Sequence, residues 1–73
     1  MSLSKLDREI LNFVAQHPAS SLLTIDFGVE KYSKSSKRER IKMMVAAGVL
    51  TEVKRPTFKL SSAGKGILEG NRP

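Results

Sequence analysis

Near the start of the chain, apolar side chains recur at three- and four-residue steps: Leu3, Leu6, Ile10, Phe13 and Val14. That spacing gathers them on one side of a helix and predicts a first helix over about 4–17. Ser4 is placed to cap it, with Asp7 three residues on as in a capping box. His17-Pro18 ends it, because proline disfavours a helical residue before it. The stretch ASSLLTID is long enough for no more than a bridge or brief strand, and Thr24 can cap a second helix over about 25–32. Ile25, Val29 and Tyr32 share a face of that helix. Gly28 weakens it by about 1 kcal/mol relative to alanine, and close helix packing is what such a glycine allows.

The helical pattern resumes with Ile41, Met44 and Val45 and stops at Gly48, which predicts a third helix over about 34–47. Its start has two readings: Ser36 with Glu39 as a capping box, or Ser33 as the cap of a helix one turn longer. VLTEV and TFKL are β-type runs on either side of Lys54, Arg55 and Pro56, so a short antiparallel hairpin over about 49–60 is predicted, with proline pre-set for the turn. In SSAGKGILEG, Ser61 can cap and Ile67 and Leu68 can anchor a short, packing-dependent helix over about 62–69. The fold class expected is therefore α+β, mainly α.

With 73 residues the chain is expected to form one domain, 1–73, around a small core. Its aromatic residues are Phe13, Phe27, Tyr32 and Phe58, so that core should be largely aliphatic. Cysteine is absent, which removes disulfides and thiolate zinc sites as sources of stability and suits a reducing compartment. No apolar run approaches the roughly 18 residues of a membrane span, and acids come early in MSLSKLDREIL, so a soluble cytoplasmic protein is expected, nucleoid-associated when bound to DNA.

Charge adds a direction to this picture. Of the formal +6, residues 1–30 hold two basic and four acidic groups, residues 31–42 six and one, and residues 43–73 five and two. A basic patch attracts polyanions, whereas scattered lysines mainly confer solubility. The concentration of charge in SKSSKRERIKMM thus points to a polyanionic partner, set against the plain alternative of a solvated basic face.

Helix, connector, helix, tight turn, helix and hairpin is the order of the winged helix-turn-helix, and two segments carry the resemblance. SKSSKRERIKMMVAAGVLTEV resembles the recognition-helix-to-wing segment of bacterial and archaeal winged-helix regulators, with Ala47, Gly48, Val49 and Leu50 supplying the helix exit. FKLSSAGKGIL resembles the wing ending of multiple-antibiotic-resistance-type regulators, with Leu60, Ser61 and Gly64 at the matching places. The likeness spans about residues 4–69 but lacks the long flanking dimerisation helices and any effector domain.

The resemblance implies a double-stranded DNA-binding protein, a small transcriptional regulator whose third helix enters the major groove. Ser35, Glu39, Lys42, Met43 and Ala46 are expected to face outward, with Lys34 and Arg38 on that face or its flank. Candidate DNA contacts on this helix are Lys34, Ser35, Ser36, Lys37, Arg38 and Lys42. Arg38 is the candidate for reading a guanine edge, since a guanidinium donates two parallel bonds to it. Lys37 lies nearer the buried side, and its stem is expected to cover apolar surface while its ammonium reaches water or phosphate. The serines serve as caps or phosphate ligands, and Glu39 is explained by capping with Ser36. In the wing, Lys54, Arg55, Thr57 and Lys59 are expected on phosphate or the adjacent minor groove.

Two other partners fit a winged helix: a protein, with the domain as an interaction module on polymerase or a larger assembly, and RNA or a ribosome, though clustered aromatics for stacking on single strands are missing. An enzyme is not expected. His17 has no nucleophile, second His or Cys beside it, and no phosphate-cradling glycine loop is present. No cofactor and no metal are expected, and the oligomeric state is open between monomer and weak homodimer.

Overall fold

The computed structural model describes residues 3–17, 19–54 and 57–70. Helix α1 (Lys5–Gln16) begins at the predicted capping box, in which Asp7 N–H donates to Ser4 Oγ and Ser4 N–H donates to Asp7 Oδ2. Its C-cap is His17, whose ring lies 4.5 Å from that of Phe13 between centroids. Pro18 falls outside the described residues. Ala19 then adopts φ 62°, and strand β1 (Ser20–Ser21) supplies the brief strand expected there.

Helix α2 (Leu22–Gly28) starts and ends earlier than predicted. Ser21, not Thr24, is its N-cap: Ser21 leaves the sheet with its Oγ free to accept the Thr24 N–H at 3.1 Å, which puts Thr24 in the first turn. The helix stops after Gly28, so Tyr32 lies in the following turn, half-buried, and not on a helical face.

Helix α3 (Lys34–Ala46) takes the longer of its two predicted starts. Ser33 Oγ accepts from Ser36 N–H at 3.2 Å, so the Ser36–Glu39 capping box does not form. At its exit Gly48 has φ +78°. Gly48 N–H donates to the Val45 carbonyl and Val49 N–H to the Met44 carbonyl, the paired closure of a Schellman motif that needs a left-handed residue between helix and strand.

Strands β2 (Leu50–Lys54) and β3 (Thr57–Leu60) form the antiparallel hairpin, with Leu50 opposite Leu60 and Glu52 opposite Phe58, and the register slips between Glu52 and Lys54. Arg55 and Pro56 of the predicted turn lie outside the described residues. Strand β1 pairs antiparallel with β3, giving the order β1-β3-β2. Helix α4 (Ser62–Gly70) follows, its start bound by Gly64 N–H donating to Ser61 Oγ. Among the described residues the result is a mainly helical α+β fold of four helices and a three-stranded antiparallel sheet.

The core is aliphatic around one aromatic: Leu6, Ile10, Leu11, Val14, Ile25, Val29, Ile41, Met44, Val49, Leu50, Phe58 and Leu60 are buried. Burial of such side chains, at roughly 1.5–3 kcal/mol each, is what holds so small a fold together. The two segments that carried the family resemblance meet in it. Ser61 Oγ donates to the carbonyls of Gly48 and Val49, and Gly64 lies against the Val49 carbonyl. The exit of α3 and the start of α4 are thereby tied across the sheet.

Candidate nucleic-acid interface

A helix advances 100° per residue, so the basic run of α3 cannot point one way. Ile41 and Met44 are buried and fix the inward direction, and Lys37 and Arg40 fall beside them. Lys34, Arg38 and Lys42, at four-residue steps, form an exposed stripe on another flank. Ser35, Glu39, Met43 and Ala46 are exposed as well, as the outward face was predicted.

Lys37 corrects the sequence-based expectation. It is 3% exposed, and its Nζ donates to the carbonyls of Asp26 at 2.8 Å and Val29 at 2.6 Å, with Asp26 Oδ1 at 3.9 Å. The ammonium therefore reaches neither water nor a phosphate. The physical reason is the end of α2, whose last carbonyls have no partner within their own helix and carry the negative end of its dipole. A lysine from the first turn of α3 satisfies them and ties α2 to α3.

Arg40 is occupied in the same way on the other flank. Its Nε donates to Asp7 Oδ1 at 2.6 Å and its Nη2 to Asp7 Oδ2 at 2.7 Å, a two-bonded pair that joins α3 to α1. Asp7 is fully buried. Burial pushes its carboxyl pKa up, but the Arg40 hydrogen bonds, the Ser4 N–H, the Arg40 charge and the Ser4 hydroxyl together bring it below its ordinary value of 3.8. Arg40 is raised correspondingly, chiefly by its hydrogen bonds to Asp7. Hydrogen bonding to Glu9, with burial and the Glu9 charge, raises the Tyr32 phenol.

The remaining predicted residues of α3 stay accessible. Lys34, Ser35, Ser36, Arg38 and Lys42 are exposed, and Ser36 Oγ accepts from Ser33 Oγ at 2.9 Å, so the serines lie around the helix start. Glu39, with no capping role, is an exposed acid whose charge contributes to raising Arg40. Arg38 leans on α2: its Nη2 is 3.6 Å from Asp26 Oδ2, while its side chain is 52% exposed.

The hairpin's described predicted residues lie away from the face it shares with α3: Thr57 and Lys59 are two apart on β3, and Lys54 pairs with Thr57, on the side opposite Phe58. Arg38 and Lys42 line an open groove of about 310 Å³ together with Leu22, Ile41, Val45, Glu52 and Phe58, so α3 and the hairpin share one surface. Lys54 is exposed at the described end of β2, and Thr57 Oγ1 donates to its carbonyl. Lys59 is not brought to that groove. It lines another, of about 460 Å³, with Val14, Ala15, Leu60, Lys65, Leu68 and Glu69 of α1, β3 and α4. Arg55 lies outside the described residues.

Sequence reasoning missed three members of this arrangement: Asp7 as the partner of Arg40, Arg40 as an internal residue, and Asp26. A signal existed for the first two, since Asp7 sits next to Leu6 on the apolar side of α1 and Arg40 next to Ile41. Asp26 likewise sits next to Ile25, but its partners could not be read locally, because only the crossing of α2 and α3 brings it to Lys37 and Arg38. Among the described residues no group of three His, Asp or Glu side chains could hold a metal ion, and no helix is long and apolar enough to cross a membrane. In comparisons with known proteins the chain matches no family model and no curated relative.

Proposed function

We propose that this chain is a winged helix-turn-helix protein that binds double-stranded DNA as a small transcriptional regulator, with α3 in the major groove and the hairpin on the backbone or adjacent minor groove. The observation that carries this reading is the exposed stripe of Lys34, Arg38 and Lys42, two of whose members share a groove with the hairpin. A helix presenting cations along one flank beside a β-hairpin can meet a duplex at two places at once, phosphates fixing its register and an arginine reading a base edge. The layout of four helices and a three-stranded antiparallel sheet is compatible with that docking. Cytoplasmic, nucleoid-associated residence follows from the same proposal.

The internal pairing of Lys37 and Arg40 reduces the cations available to DNA and gives the proposal a quantitative edge. Taking the exposed Lys34, Arg38, Lys42 and Lys54 as the contacting cations, log affinity should fall with log salt at a slope of roughly −3 to −4, near −0.9 per phosphate neutralised. Titration of labelled duplex over a salt series measures it. Lys42→Ala should flatten the slope by roughly one phosphate and weaken all sequences alike, and affinity indifferent to salt would defeat the reading.

A protein-interaction module is the second reading, favoured by Leu23 and Phe27. They stand one turn apart on α2 and are 58% and 74% exposed. A duplex titration that leaves every amide resonance of α3 unmoved would bring this reading forward.

A further inference from the structure

Asp26 has a chemistry that the proposed DNA contact does not yet use. Its side chain is 4% exposed, and neither carboxylate oxygen accepts a hydrogen bond among the described residues. Its two cationic neighbours are unequal. Lys37, 3.9 Å from Oδ1, directs its hydrogen bonds to backbone carbonyls. Arg38, 3.6 Å from Oδ2, has its side chain half in solvent.

A guanidinium is a planar fork with five N–H donors, so one edge can face a carboxylate while another remains open to a ligand. A carboxylate whose lone pairs are unspent, fixed on a neighbouring helix, is suited to hold the inner edge of that fork. The outer edge then points away from α2 with fewer rotamers to lose on binding. Lysine could not divide its donors between two planar partners in this way.

We infer that Asp26 is a positioning residue for base readout: it holds the inner edge of Arg38 so that the outer edge presents its paired donors to O6 and N7 of a guanine in the major groove. This rests on the DNA-binding reading above and deepens it. Asp26 touches no DNA and acts through Arg38. Its effect should therefore appear as selectivity at one base pair, whereas a purely structural role would alter stability or weaken all duplexes together.

The test begins with the full chain and a random duplex library at physiological salt, which identifies the preferred site and the guanine position most sensitive to Arg38→Ala. Wild type, Asp26→Asn, Arg38→Lys and the double variant are then titrated with duplexes carrying guanine or each other base at that position. Amide spectra check that each variant keeps the fold. The expected result is that Asp26→Asn lowers the guanine preference by roughly five-fold or more, leaves affinity for non-cognate duplex equal or higher, and adds little once Arg38 is lysine.

Full guanine preference in folded Asp26→Asn, or a loss spread evenly over all positions, overturns the role of Asp26 while leaving DNA binding intact. If Asp26→Asn does not fold, Arg38→Lys decides: it retains the charge and lacks the fork, and an undiminished preference overturns the inference. A wild-type chain that binds duplex without base preference also overturns it. Failure of the wild type to bind duplex at all overturns the underlying reading instead.

Discussion

Lys37 and Lys42 are two lysines of one helix in opposite settings, one buried and one exposed, and truncating each separates an effect on stability from one on the proposed binding. Lys37→Ala leaves Asp26 without its buried cation and strips two carbonyls of their donor, which should cost about 3 kcal/mol. In a domain this small that is a fall in Tm of roughly 12–24 °C by calorimetry. Lys42→Ala should leave Tm within about 2 °C, because its side chain is exposed and surface substitutions rarely exceed a few tenths of a kcal/mol. A second residue-scale prediction concerns acid. The Asp7 pKa is lowered on folding, so its contribution is complete above the ordinary value of 3.8 and is lost as pH falls through the lower folded value. Urea unfolding from pH 7 to pH 2 should show that loss in the wild type, and Asp7→Asn should flatten the acid limb. A variant limb as steep as the wild type's would assign acid sensitivity to other carboxylates.

Among the elements, the connection between α1 and α2 depends on a missing Cβ. An alanine at Gly28 would place its methyl within the Phe13 ring, so the missing Cβ makes room for that ring where α2 passes α1. Gly28→Ala should destabilise by about 1–3 kcal/mol in chemical denaturation despite the better helix propensity of alanine, and Phe13→Leu should recover part of the loss in the double variant. Additive losses would mean that the two residues do not share the contact. The sequence indicated that glycine's purpose, along with the Ser4–Asp7 cap, the Gly48 exit and the hairpin, because each is a local signal within a few residues. The start of α2 at Leu22, three residues before the predicted position, has a non-local cause. Ser20 and Ser21 are committed by pairing with Phe58 and Thr57, nearly forty positions along the chain, and the helix begins where that pairing lets go. The same limit governed the candidate site: the flank bearing Lys34, Arg38 and Lys42 follows from helix periodicity, but the fate of Lys37 required knowing where α2 ends.

At the scale of the whole molecule, the charge run divides into an internal and an exposed part that composition cannot separate. Arg40 bound to Asp7 ties α3 to α1, and Lys37 bound to the end of α2 ties it to the neighbouring helix, so part of the basic run is internal scaffolding. Total charge therefore overstates the charge that α3 presents to solvent, and its exposed flank describes it better. The sealed position of Lys37 also makes it a clock. An amine-selective acylating reagent can modify Lys34 and Lys42 directly from solvent, whereas Lys37 must wait for α2 and α3 to separate. Its modification, followed residue by residue in a mass spectrometer, should lag theirs and accelerate with mild denaturant, so that one covalent mark counts the openings of the fold.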